Sequence, residues 1–273
     1  MQKLFRKLAI LVISILAATS LVSCASQPVN SEVTVVVHDS FVISDELLSE
    51  FKDQTGTTVK IIRAGDAGAM TNKLILTKDQ PIADAVYGID NIFAGLAAAN
   101  GIIDGSLTAI NYGDVCMNYD RLWFSKNEQA APANIQDLIK PEFNGLTVVQ
   151  NPNTSSPGLA FLLATIAQFG DGGWQDFWSS LRDNDVKIVD GWTEAYTIEF
   201  SGSSGKGTRP LVVSYASSPP AEVVYSEPPV SEPPTAVIDT TCFHQVEFAG
   251  ILRGSKNEDA AKLLVDYLAD TTF

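Results

Sequence analysis

Short β-branched runs alternate with helix-like apolar runs along most of the chain, and this alternation constrains the fold more than any other feature. The first half predicts strands at 33–38, 58–63 and 83–88 and helices at 44–54, 70–78 and 91–99. Ser44, followed by two acidic residues, is a suitable N-cap for the first helix. Strands separated by single helices indicate parallel pairing. The sequence therefore predicts an α/β protein with a largely parallel sheet.

A second block of the same kind follows an extended segment at 111–119. It predicts strands at 146–149, 186–189 and 211–215 and helices at 135–139, 159–169, 174–181 and 193–200. A strand at 243–252 then returns to the first block, and an amphipathic helix at 256–269 ends the pattern. Two α/β lobes joined by two extended crossings leave a ligand cleft between them. We therefore predict lobe one at 33–110 plus 243–273 and lobe two at 111–242.

Two segments of lobe two are expected to lack regular structure. Residues 201–207 are rich in Gly and Ser and predict an exposed loop. Six prolines follow between Pro219 and Pro234. Because proline has no backbone N–H to donate, this second segment is predicted to contain neither helix nor strand.

The N-terminus has the pattern of a bacterial lipoprotein signal peptide. Lys3, Arg6 and Lys7 precede an apolar run that ends in Ser23-Cys24. The run is too short to span a membrane but fits an export signal. We predict a signal peptide at 1–23, lipidation of Cys24, a polar tether at 24–32, and an extracytoplasmic protein anchored by its lipid. The alternative is a signal peptide with an incidental cysteine.

Charge and cysteine content narrow the possible ligands. With 18 Lys and Arg against 32 Asp and Glu, the net charge is −14, which disfavours nucleic acid and favours neutral or cationic ligands. An acidic surface that only aids solubility is the alternative. Cys116 and Cys242 could form a disulfide in an oxidising compartment, or remain buried thiols. No Cys-x-x-Cys spacing indicates a metal or redox centre.

Polar and aromatic residues recur where the predicted strands end or cross, which is where α/β proteins bind ligands. The candidate ligand-binding residues are Asp39, Ser40, Asp66, Asp90, Asn91, Tyr112, Thr154, Ser155, Ser156, Trp192, Tyr196, Tyr215 and Ser217. Part of this set is expected to serve as helix caps and turns instead. No metal site and no catalytic residue is predicted.

The hydroxyl turn, residues 150–158, joins a strand to a helix and contains Thr154, Ser155 and Ser156 in succession. Hydroxyl groups and the free N–H groups of a first helical turn suit an anionic or hydroxyl-bearing ligand. Pro157 fits the first helical turn. The alternative is an ordinary Ser N-cap followed by proline.

The remaining candidates suit a cationic ring. Asp66 and Asp90 could balance a positive charge or accept hydrogen bonds from an amino group. Trp192, Tyr112 and Tyr215 could stack on a flat ring, with about 0.5 to 2 kcal/mol from each favourable cation–π contact.

Two other functions are open at this stage. A ferric-ion receptor would need prominent tyrosine ligands, and no adjacent Tyr pair is present. A surface serine hydrolase would need a base beside Ser155, and only His38 and His244 could serve. Neither histidine belongs to a catalytic motif, so we expect the protein not to be an enzyme.

Several segments in order along the chain resemble the thiamine-binding proteins of bacterial ABC transporters. The most specific are the hydroxyl turn and Gly191-Trp192-Thr193-Glu194-Ala195-Tyr196. The others are His38-Asp39-Ser40-Phe41, Gly65-Asp66-Ala67-Gly68 with Asn72-Lys73-Leu74, Ala83 to Asn91, Asn111-Tyr112-Gly113, Ser214-Tyr215 with Ser217-Ser218-Pro219, and Gln245 to Gly250. The family is similar to type II periplasmic binding proteins, in which two lobes close on a ligand around a two-strand hinge.

The resemblance implies a monomer that binds thiamine or a thiamine phosphate, uses no cofactor and delivers its ligand to an ABC permease. It implies that Asp66 meets the aminopyrimidine, that Trp192 and Tyr215 pack on the rings, and that Ser155 and its neighbours receive the hydroxyethyl or phosphate end. His38 and Ala221 stand where some relatives carry tyrosine, which implies different ring stacking. Relatives also continue beyond the position of Phe273, so we expect the sequence to be an incomplete reading frame.

Overall fold

The computed structural model describes residues 31–203 and 205–270. The predicted signal peptide, the lipidated Cys24 and residues 24–30 of the predicted tether lie outside these residues. The last two residues of that tether, Ser31 and Glu32, begin the first strand. No helix in the described ranges is long and apolar enough to cross a membrane.

Eight strands of the described chain form one mixed sheet in the order β2-β1-β3-β8-β4-β7-β5-β6. The strands are β1 (Ser31–Val37), β2 (Thr57–Arg63), β3 (Ala85–Asp90), β4 (Ile103–Asp120), β5 (Thr147–Gln150), β6 (Lys187–Val189), β7 (Leu211–Tyr215) and β8 (Thr235–Leu252). Pairing is parallel among β2, β1 and β3, and among β6, β5 and β7. The predicted parallel pairing therefore holds within each half, and the α/β class is confirmed.

The two longest strands, β4 and β8, lie antiparallel at the centre of the sheet and connect its two halves. Each has 18 residues, longer than the predicted crossings. The disulfide between Cys116 and Cys242 joins these two strands. The halves of the molecule therefore share a continuous two-strand connection.

Helices cover both faces of this sheet. They are α1 (Asp45–Thr55), α2 (Ala67–Leu76), α3 (Ala94–Asn100), α4 (Arg121–Lys126), α5 (Ser156–Asp183), α6 (Trp192–Glu194), α7 (Ser218–Val224) and α8 (Glu258–Leu268), with 3-10 turns at Ile135–Ile139 and Pro141–Phe143 and a π-helix at Ala195–Glu199. Ser44 caps α1 as predicted, since its Oγ accepts a hydrogen bond from the N–H of Leu47 at 3.3 Å. Separate apolar cores lie beside each half of the sheet.

Two predicted elements differ from the structure. The helices expected at 159–169 and 174–181 form one element, α5, with a non-helical break at Gly170, whose φ is 69°. The proline-rich segment was wrongly predicted to lack regular structure, because most of α7 lies within it and β8 begins directly after it. Pro219 and Pro220 lie in the first turn of α7, where the missing N–H has no helical partner to lose.

Candidate functional site

A cavity of about 1180 Å³ opens between the two halves of the sheet. It is larger than a typical small-molecule site, which is about 300 to 1,000 Å³. Seven predicted site residues line it: Asp39, Ser40, Tyr112, Trp192, Tyr196, Tyr215 and Ser217. The other six, Asp66, Asp90, Asn91, Thr154, Ser155 and Ser156, are not among the described residues of its wall.

Stacked aromatic rings form one wall of this cavity. The rings of Trp192 and Tyr196 lie 4.9 Å apart at 14°, and Tyr215 lies 6.3 Å from Trp192 at 56°. The four-residue spacing places the first two on one face as α6 continues into the π-helix. The indole Nε1 of Trp192 donates to Ser214 Oγ at 2.8 Å, which fixes the plane of the ring. The wall therefore offers a flat aromatic surface to the cavity.

Glu222 supports this aromatic wall from behind. Its Oε1 accepts a hydrogen bond from the hydroxyl of Tyr196, and its Oε2 accepts one from Thr235 Oγ1 at 2.7 Å. Burial, followed by the contact with Glu222, raises the pKa of Tyr196 well above its usual value. The phenol therefore stays protonated and continues to donate.

The cavity floor, which we define as His38, Tyr87, Asn111, Gln245 and Glu247, lies on the central strands and the end of β1. The Tyr87 hydroxyl donates to Glu247 Oε2 at 2.8 Å and accepts from Asn111 Nδ2 at 2.6 Å. Gln245 Nε2 and His38 Nε2 lie 3.4 and 3.5 Å from Glu247 Oε1. Burial alone would raise the pKa of Glu247, but the contacts with His38, Tyr87 and Asn111 outweigh it and lower the pKa.

The charge of the lining is predominantly negative. The lining includes four carboxylates, Asp39, Glu222, Glu227 and Glu247, whereas Arg63 is the one Lys or Arg among the described lining residues. Arg63 Nη1 already donates to the carbonyl oxygens of Asp39 and Phe41 at 2.9 and 2.8 Å. Burial, then the charges of Glu247 and Asp66, raises the pKa of Tyr215, which remains neutral. The cavity therefore favours a cation with aromatic character.

Asp66 and the hydroxyl turn meet outside this cavity. The polar junction, defined as Asp66, Asp90, Thr154, Ser155 and Ser156, joins α2 and β3 to the segments before α5 and α6. Asp66 Oδ2 accepts from the backbone N–H of Trp192 at 2.9 Å, and Thr154 Oγ1 donates to the carbonyl of Asp190 at 2.6 Å. Ala69 N–H donates to the carbonyl of Thr154 at 2.9 Å, across the same contact.

The contact at this junction is close enough to require a glycine. A Cβ on Gly68 would lie 2.8 Å from the carbonyl carbon of Thr154 and 2.9 Å from the carbonyl oxygen of Asn153. Both are backbone atoms, which cannot move aside as a flexible side chain could. The first turn of α2 is therefore packed directly on the hydroxyl turn.

Asp90 is fully buried at the same junction. Its Oδ1 accepts from the N–H groups of Ile92 and Phe93 at 2.8 and 2.9 Å, and its Oδ2 accepts from the hydroxyl of Ser156. Burial raises the pKa of Asp90, partly offset by these hydrogen bonds. Ser155 Oγ caps α5 by accepting from the N–H of Gly158 at 3.5 Å. Ser155 thus performs the helix-cap role that was the alternative for this segment, while Ser156 bonds Asp90.

The remaining predicted residues lie at the edge of the cavity or just outside it. Asn91 bonds the backbone of β8 through His244 and Val246. Asp39 accepts from the N–H of Gly65 at 3.0 Å, and Tyr112 is exposed at the rim with its ring 5.7 Å from His244. The expected site, with Asp66 and the hydroxyl turn facing the aromatic residues across the ligand, differs from the observed lining. Asp90 and Ser156 of the junction hydrogen-bond each other, and Asp66, Thr154 and Ser155 bond to backbone groups of the protein.

Sequence reasoning missed the residues of the cavity floor and Glu222. Gln245 and Glu247 alternate on β8 and therefore point to the same face, a spacing that was visible once the strand was predicted. Glu222 was missed because α7 was not expected. For the hydrolase alternative, Ser155 is a buried cap, while His38 lies by Glu247 and His244 by Asp114 at 2.9 Å. In the described ranges, no group of three or more His, Cys, Asp and Glu could hold a metal ion.

Comparison with known proteins gives a consistent set of relatives. A family model described as bacterial extracellular solute-binding protein matches residues 87–272. The thiamine-binding periplasmic protein of Escherichia coli (strain K12) is 26% identical over 257 residues, which cover 88% of this chain and 76% of that protein. The thiamine-binding periplasmic protein of Brucella abortus biovar 1 (strain 9-941) is 28% identical over 236 residues, 80% of this chain and 68% of that protein.

A solved structure of a periplasmic thiamin binding protein has a TM-score of 0.74 and 25% identity to this chain, and the match covers 87% of this chain and 78% of that one. The resemblance to thiamine-binding proteins, first seen in the sequence segments, is thereby confirmed.

Proposed function

Since a family model matches most of its length, the chain belongs to the bacterial extracellular solute-binding proteins, and we propose that its solute is thiamine or a thiamine phosphate. The fold is the two-lobed α/β fold of type II periplasmic binding proteins. Members of such a family bind and do not transform their ligand, so the protein is not an enzyme. Its place is extracytoplasmic, as it is for the relatives.

The observation that carries the proposal is the stacked pair of Trp192 and Tyr196 beside Tyr215 in the wall of an acidic cavity. Thiamine has a cationic thiazolium ring and an amino-substituted pyrimidine ring. Aromatic faces attract such a cation by cation–π contact, worth about 0.5 to 2 kcal/mol at each favourable ring. The carboxylates of the lining also attract the positive charge of the thiazolium ring.

We further propose that the lipidated Cys24 anchors the protein and that it delivers thiamine to an ABC permease. The lipobox-like end of the N-terminal segment supports the anchor. Membership of the solute-binding family supports the permease as a partner. In such a system the ligand would stabilise the closed state by its differential affinity for that state.

Titration calorimetry with the purified chain tests the ligand. Thiamine and thiamine monophosphate are titrated separately, and tight binding of at least one is expected. Choline serves as a cation without an aromatic ring and should bind far more weakly. Heat no larger than that of dilution with both thiamine compounds would contradict the proposal.

A further inference from the structure

Glu222 and Glu247 both line the cavity, but their oxygens differ in how well they are satisfied. Glu222 accepts a hydroxyl hydrogen bond on each oxygen, from Tyr196 and from Thr235. Glu247 accepts one hydroxyl hydrogen bond, from Tyr87 at 2.8 Å, while its other oxygen has contacts of 3.4 and 3.5 Å. A carboxylate has about four lone-pair sites. Both carboxylates therefore have lone pairs left, but only Glu247 has an oxygen, Oε1, that accepts no short hydrogen bond.

Among the described residues, the imidazole of His38 is the one group placed to balance the charge of Glu247. The Glu247 side chain is 15% exposed, and withdrawing a carboxylate from water is costly unless a cation compensates. Arg63, the lining residue best suited to pair with it, donates to backbone carbonyls instead. The imidazole of His38 lies at 3.5 Å, beyond the usual length of a strong charged hydrogen bond. A ligand cation could therefore provide the positive charge that His38 supplies only weakly.

Gln245 adds a second unfilled acceptor at the same place. It is 2% exposed, and its Oε1 has no hydrogen-bond partner although Nε2 points to Glu247. Because a carboxylate only accepts, this contact fixes the amide with Nε2 towards Glu247. His38 Nε2, in the same cluster, also lacks a hydrogen bond. A buried acceptor without a partner is destabilising, so a ligand whose donor reaches it would be bound more tightly.

We propose that Glu247 is the residue that selects a positively charged ligand, as the counter-charge of its cationic ring, and that Gln245 Oε1 accepts a hydrogen bond from the ligand's amino group. This inference rests on the proposed function and assigns the recognition of charge to the cavity floor. Glu222, which accepts a hydroxyl hydrogen bond on each oxygen, holds the aromatic wall and does not select charge.

The test uses two ligands that differ in charge. Thiamine and its neutral isostere, with a thiophene ring in place of the thiazolium, are titrated into the wild type, Glu247→Gln and the matched control Glu222→Gln. Glu247→Gln should weaken thiamine binding about 10-fold to 100-fold while changing binding of the isostere less than about threefold. Glu222→Gln should weaken the binding of both ligands by the same factor, so the ratio of their affinities stays that of the wild type.

The outcomes separate this inference from the proposed function. A wild type that binds neither ligand refutes the proposed function itself. A wild type that binds thiamine, combined with a Glu247→Gln variant whose ratio of affinities is unchanged, refutes the inference alone.

Two further variants keep the test decisive if Glu247→Gln folds poorly. Glu247→Asp retains the charge and should retain the preference for thiamine over the neutral isostere. Gln245→Leu should weaken thiamine without changing binding of an analogue that carries an oxo group in place of the pyrimidine amino group. The assignment would be overturned if Glu247→Asp lost the preference for thiamine over the neutral isostere. It would also be overturned if Gln245→Leu weakened the binding of thiamine and of the oxo analogue equally.

Discussion

The polar junction and the cavity floor contain similar residue types but differ in their hydrogen bonding. In the junction, Asp66 accepts from the N–H groups of Ala67 and Trp192, and Asp90 accepts from two N–H groups and a hydroxyl. In the floor, Glu247 has one short contact, and Gln245 Oε1 has no partner. A buried group whose bonds are complete stabilises the fold, while one with capacity left is suited to bind something else.

The comparison predicts that the junction contributes to stability and the cavity to affinity. Its strongest test is Asp90→Ala. The change leaves the N–H groups of Ile92 and Phe93 and the hydroxyl of Ser156 without their acceptor in a buried site. We expect the free energy of unfolding to fall by about 3 kcal/mol, as measured by urea denaturation followed by circular dichroism.

Ser156→Ala is the matched control, since it removes one donor to Asp90 and leaves the two N–H groups bonded. It should cost about 1 kcal/mol. If Asp90→Ala unfolded at the same urea concentration as the wild type, Asp90 would not be a stabilising residue and the contrast between the two regions would fail.

On the cavity side, Trp192→Ala tests the aromatic wall. The variant loses the ring that stacks on Tyr196, and thiamine affinity should fall about 30-fold, or about 2 kcal/mol. Calorimetry measures the change, and Trp192→Phe, which keeps a ring, should lose much less. Wild-type affinity in the alanine variant would show that this cavity is not the thiamine site.

More of the fold than of the site could be predicted from the sequence, because the spacing of apolar residues indicates which positions are buried. The strands of each half and the helices around them follow from alternating apolar runs. The full lengths of β4 and β8 do not, since Ile103–Asp120 is largely exposed or half-buried over its first part and its pattern is weak there. The helix at Ser218–Val224 was hidden because prolines disfavour helix interiors but not first turns.

Site residues were harder to predict because a strand-end carboxylate looks the same in sequence whether its partner is a ligand or the protein. Asp66 and Asp90 were chosen by position, and each has, besides local N–H donors, a donor far away along the chain: Trp192 for Asp66 and Ser156 for Asp90. Trp192, Tyr196 and Tyr215 were placed correctly in the cavity wall because large aromatic residues at strand ends have fewer structural uses. Glu247 could not be chosen from the sequence, because its hydrogen-bond donor Tyr87 comes close to it only in the folded chain.

A smaller effect separates the two possible roles of the hydroxyl turn. Thr154→Val keeps the shape of the side chain and removes the hydroxyl that donates to the carbonyl of Asp190. The unfolding free energy should fall by about 1 kcal/mol, and thiamine affinity should change less than about twofold. A large loss of affinity for thiamine or its monophosphate, with unchanged stability, would show that the turn binds the ligand's tail and would remove the distinction drawn above.

The smallest expected effect is a difference in how Asp90 and Glu247 make stability depend on pH. Burial raises the pKa of Asp90 above its unfolded value. As pH falls through that raised pKa, the folded state takes up the proton first, so this group's contribution becomes more favourable. The pKa of Glu247 is lowered, because the contacts outweigh its burial. Its contribution is present above the unfolded pKa and is lost as pH falls through the lowered value.

Urea unfolding of the wild type, Asp90→Asn and Glu247→Gln is measured between about pH 7 and about pH 4. For each variant it gives the slope against pH of the difference in unfolding free energy between the wild type and that variant. The stability of the wild type relative to Asp90→Asn should rise as pH falls, and its stability relative to Glu247→Gln should decline. Each amide variant lacks one titrating group and therefore serves as the control for the other. Two slopes of the same sign would contradict the opposite directions of the two pKa shifts, which arise because burial dominates at Asp90 and the contacts dominate at Glu247.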